Sequence, residues 1–120
     1  MKDFGGEIKY KDKIYKLVFN LNVMEEIQEK YGSVDKWGDL TEGSENEGEP
    51  NAKAVIFGLT AMINEGIDIE NEDNGTKEKK LTQKQVGRVI TEIGLKEAFK
   101  TLNNTVAESM KNEDEEGKNA

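Results

Sequence analysis

Neither cysteine nor histidine occurs among the 120 residues. The first absence removes disulfides, thiol nucleophiles and cysteine-ligated metals. The second removes the commonest general base, the commonest zinc ligand and the side chain that titrates near neutrality, so the ordinary catalytic triads are excluded. No apolar run reaches membrane length, and no basic segment followed by an apolar stretch opens the chain. A soluble, cytoplasmic protein is therefore expected. Glycine-rich phosphate-binding spacing is also missing: Gly58, Gly66, Gly87 and Gly94 match no such motif, and no nucleotide cofactor is expected.

The length suits one domain with one hydrophobic core. The formal net charge is -8, and it is unevenly placed. Residues 1–40 carry seven Lys against eight acids, residues 41–76 one Lys against nine, residues 77–111 eight Lys or Arg against four, and residues 112–120 one Lys against four. The segment charges are thus -1, -8, +4 and -3. A duplex-binding surface needs clustered cations, so nucleic acid is not an expected partner. The acidic excess falls in stretches without apolar residues, where charge keeps a segment solvated.

The most apolar stretch is Asn51 to Ile67. Ala52, Val55, Ile56, Leu59, Met62, Ile63 and Ile67 recur at helical spacing, and Phe57 and Ala61 widen the stripe. This predicts a central core helix that starts at Pro50 or Asn51 and stops at Gly66, with Ile67 folding back onto its last turn. Before it, Glu7–Tyr10 and Ile14–Phe19 alternate as strands around a polar turn, giving an antiparallel hairpin whose Tyr15, Leu17 and Phe19 face the helices. Lys9, Lys11, Lys13 and Lys16 dress its open edge. A helix capped by Asn20 or Asn22 buries Val23, Met24, Ile27 and Tyr31 and ends at Gly32; a short one runs from Val34 to about Leu40 with Trp37 inward. Residues 41–50 and 68–80 read as acidic or polar loops. Thr82 and Gln85 make a capping box, and Val86, Val89, Ile90 and Ile93 carry its helix to Gly94. Leu95, Ala98, Phe99, Leu102, Val106 and Met110 carry the last helix. The expected fold is α+β and mainly helical: an N-terminal hairpin packed on about four to five helices, globular over 1–111, with a disordered acidic tail at 112–120.

Candidate chemistry is sparse. Glu70 to Gly75 has oxygen side chains at alternate positions, but a calcium loop needs Asp first and Glu twelfth, and those positions hold Glu70 and Leu81. Glu25, Glu26 and Glu29 read as the wet face of a helix, and no pair of carboxylates sits in an apolar setting that would divide acid from base. No metal is expected, and neither is enzymatic activity. Phe57, off the main stripe, and Trp37, beside a loop, are the candidate partner contacts. A homo-oligomer built through that surface or the hairpin edge fits the same pattern.

Three stretches, KLVFNLNVMEEIQEKYGS, AVIFGLTAMINEG and LTQKQVGRVITEIG, together resemble the tail assembly chaperones of long, non-contractile-tailed phages and prophages of Gram-positive bacteria. Phe19, Asn20, Met24, Glu26, Ile27, Tyr31, Gly32, Leu81, Thr82, Val86 and Ile90 carry the likeness over most of residues 7–110. The resemblance implies a non-catalytic protein that binds the tape-measure and tail-tube proteins during tail assembly and is absent from the finished virion. It also implies a second, longer product made by ribosomal slippage, for which Gly117-Lys118-Asn119 permits the codons GGA AAA AAC. The competing reading is a small acidic adaptor or inhibitor, such as a nucleic-acid mimic.

Overall fold

Helix α3, Ala52–Asn74, is the element on which the others pack in the computed structural model, which describes residues 6–44 and 47–119, with side chains as far as Lys111. Asn51 caps it by accepting from the Ala54 amide, and Ala54, Val55, Leu59, Met62, Ile63 and Ile67 are buried along it. The strands β1, Glu7–Tyr10, and β2, Lys13–Lys16, pair antiparallel with Tyr10 opposite Lys13, and Lys11 turns the chain at a φ of 56°. Helices α1, Leu21–Tyr31, α2, Val34–Glu42, α4, Gln83–Ile93, and α5, Leu95–Asn119, complete the α+β, mainly helical architecture. One cluster of buried side chains, from Ile8 to Leu102, joins hairpin and helices.

The caps lie where local sequence puts them. Asn20 accepts from the Val23 amide, Ser33 from Lys36, and Gly32 ends α1. At α4 the Gln85 amide donates to Thr82 Oγ1 at 3.1 Å while the Thr82 amide donates to Gln85 Oε1 at 2.8 Å. Leu17 and Phe19 are buried as the hairpin pattern requires, but they follow β2 rather than extend it: the Val18 amide leaves the sheet and donates to the Met62 carbonyl of α3.

Three expectations need correction. Gly66 does not stop the central helix, which continues to Asn74 and ends at Gly75 with φ 65°. Gly66 instead lets β2 approach, since a Cβ there would lie 2.8 Å from the Lys16 carbonyl oxygen. Asp68 to Asn74 are consequently helical rather than loop, and Glu70 to Asn74 form helical turns, not a calcium loop. The short helix reaches Glu42, two residues beyond the expected end, and Glu45 and Asn46 of the acidic loop lie outside the described residues. The backbone of α5 continues to Asn119. A formed helix gains one hydrogen bond per added residue, and no proline interrupts this one.

Two asparagines of α3 hold the connector to α4. Asn64 donates to the Leu81 carbonyl at 2.9 Å and accepts its amide at 2.8 Å. Asn71, two turns on, does the same with Glu78, at 3.0 Å for both bonds. Each side-chain amide thus replaces a strand partner for one residue of an extended segment. Helix α5 is fastened to the segments flanking the hairpin: the Gly6 amide donates to Thr105 Oγ1 at 2.9 Å, and Ser109 Oγ donates to the Phe19 carbonyl at 2.8 Å.

Candidate functional site

Helices α2 and α5 both rest near α3 and leave between them a cleft of about 440 Å³. Its position follows from how α2 is anchored. Trp37 is 1% exposed; its indole N–H donates to the Ala54 carbonyl at 3.0 Å, and its ring stacks near Phe19 at 6.5 Å and 12°. Gly58 makes room for that indole, because any Cβ there would run into Trp37 Cζ2. Thr41, also buried, donates to the Gly38 carbonyl. On the other wall Thr105 is held between the Gly6 amide and the Thr101 carbonyl, which places Leu102, Val106 and Met110 along the cleft.

The floor is apolar and the rim acidic. Leu102 and Trp37 are buried, Val34 and Val106 half-buried, and Met110 is 38% exposed. Asp35, Asp39 and Glu42 are exposed along α2 at spacings of four and three, which is one helix face. Neither of the ion pairs among the described residues, Lys13–Glu78 and Lys80–Asp68, uses them. Apolar contact beside fixed negative charge suits the capture of a surface that is itself apolar and basic.

Trp37 and Phe57, the aromatic residues that the sequence singles out for partner contact, are not brought together. Trp37 is a core side chain whose edge lines the cleft, so it is not an exposed anchor. Its size made burial the expectation for the short helix, and burial prevailed. Phe57 is half-buried on another face, edge-on to Tyr31 at 5.6 Å and 76°, with Lys30 Nζ 5.2 Å from its centroid. It borders a smaller cavity of about 160 Å³ with Glu26, Glu65, Asp68 and Lys80. The Tyr31 hydroxyl beside it is buried without a hydrogen-bond partner, and burial pushes its ionisation above the ordinary tyrosine value.

The cleft residues Asp35, Asp39, Glu42, Val106 and Met110 were not singled out by sequence reasoning. A signal existed for the acids, whose spacing marks one face, but only the fold shows that α5 lies across from them. Among the described residues no group of three or more acidic side chains is placed to hold a metal ion, and no helix is long and apolar enough to cross a membrane. Compared with protein-family models, curated proteins and solved structures, the chain matches none.

Proposed function

We propose that this chain is a non-catalytic tail assembly chaperone of a long-tailed phage or prophage, acting in the bacterial cytoplasm on the tape-measure and tail-tube proteins. The observation that carries the binding role is the cleft between α2 and α5, with its apolar floor and acidic rim. The choice of partners comes from the resemblance of residues 7–110 to that family. An acidic chaperone lends charge to an aggregation-prone partner and keeps it in solution. Co-expression with the tape-measure and tail-tube proteins encoded beside its gene tests the proposal. Both partners should move from the pellet to the soluble fraction and co-purify with the chain; partners that stay insoluble and uncaptured would overturn it.

A second reading, an acidic adaptor or mimic of nucleic acid, gains from one observation. Asp35, Asp39 and Glu42, and the acids from Asp68 to Asp73, stand on helices rather than in loops. Such a mimic competes with DNA for a basic protein, so displacement of a DNA duplex from a captured partner would favour it over the chaperone.

A further inference from the structure

We infer that the α2/α5 cleft is a docking groove for one amphipathic helix of a partner protein, an apolar stripe flanked by lysine or arginine. This rests on the protein-binding reading above and adds the place and the chemistry of recognition. Two helices form the walls, and half-buried Val34 and Val106 with exposed Met110 offer apolar surface over the closed floor of Trp37 and Leu102, a shape onto which a third helix lays its apolar face. Met110, unbranched and exposed at the lip, adapts to differing apolar side chains.

The rim sets the sign of the flank. Asp39 and Glu42 lie in the last turn of α2, which contains no basic residue. Negative charge is unfavourable at a helix C-terminus, where the unsatisfied carbonyls already make the end negative. Helix stability alone would therefore place lysine at these positions. Carboxylates that work against their own helix, face a cleft and form no ion pair among the described residues fit an incoming cation.

Two designed tryptophan-free peptides with the same leucine stripe, one flanked by lysines and one by glutamates, test the inference on the full chain. Trp37 is the single tryptophan and borders the cleft, so its emission reports occupancy. The lysine peptide should bind at least ~tenfold tighter than the glutamate peptide and weaken with added salt. Asp39→Lys/Glu42→Lys should melt no lower than the parent protein and reverse that preference. Met110→Glu, at an exposed position, should weaken both peptides. Equal binding of the two peptides, an unchanged preference in the double variant, or an emission change that follows protein concentration alone because a second copy fills the cleft, would overturn the assignment. If the double variant loses the lysine peptide yet captures tail proteins undiminished, the groove is overturned as their site while the chaperone reading stands. If the parent protein captures no tail protein but discriminates the peptides as described, the groove stands and the chaperone reading fails.

Discussion

Tyr31 shows how one atom can be placed against its own preference. Its ring packs on Phe57, but its hydroxyl is buried with no partner, and a buried hydroxyl without a hydrogen bond costs roughly 1–3 kcal/mol. Tyr31→Phe removes that oxygen and keeps the ring, so urea denaturation should find the variant as stable as the parent or up to ~1 kcal/mol more stable. The pH dependence has a definite sign. Desolvation raises the folded-state pKa above the ordinary 10.0. The unfolded chain therefore loses the proton first, and stability that is intact below about pH 10 declines as the pH climbs toward the folded value. Lys13, whose pKa is raised from 10.5 chiefly by its hydrogen bond to Glu78, acts in the same direction on the same alkaline side. Tyr31→Phe should therefore soften the alkaline loss without abolishing it. At the core, Leu59→Ala should cost about 2–5 kcal/mol, since Leu59 is fully buried. Gly58→Ala should also destabilise, by roughly 1–3 kcal/mol, because the new methyl meets the Trp37 indole and outweighs alanine's better helix propensity. A melting temperature above the parent's would contradict that account of Gly58.

Among the elements, the connector between α3 and α4 depends on side-chain amides instead of a strand partner. Asn64→Ala leaves the partly buried amide and carbonyl of Leu81 without their partners and should cost about 1–3 kcal/mol. Asn71→Ala, whose bonds to Glu78 are exposed to water, should stay within ~0.5 kcal/mol. Amide exchange at Leu81 should quicken in the first variant and not in the second. Which elements could be read from sequence follows the range of the interactions that make them. The start of α4 depends on Thr82 and Gln85, three residues apart, and was readable. So were the cap of α1, narrowed to Asn20 or Asn22, and the burial of Trp37. The end of α3 was not, because Gly66 reads locally as a helix stop, whereas it leaves room for the backbone of Lys16, fifty residues earlier. Thr105 reads as a surface hydroxyl until the Gly6 amide is seen to need it. The cleft was unreadable for the same reason: its two walls are sixty or more residues apart in the chain, and no local pattern joins Asp39 to Val106.

For the whole molecule, the segments on either side of the hairpin are held to α5. Gly6 bonds to Thr105 across 99 residues and Ser109 to Phe19 across 90. Truncation before Thr101 removes both fastenings together with buried Leu102, and that fragment should lack a cooperative unfolding transition. The same fastening constrains the order in which the protein can finish folding as it leaves the ribosome. The hairpin emerges well before α5, at the usual pace of about 5–20 residues per second. The hydroxyls of Thr105 and Ser109 that hold this region lie 99 and 90 residues beyond their partners Gly6 and Phe19. Until they arrive, Ile8, Leu17 and Phe19 lack part of the surface that covers them, so closure of the core waits for α5 rather than growing steadily from the hairpin.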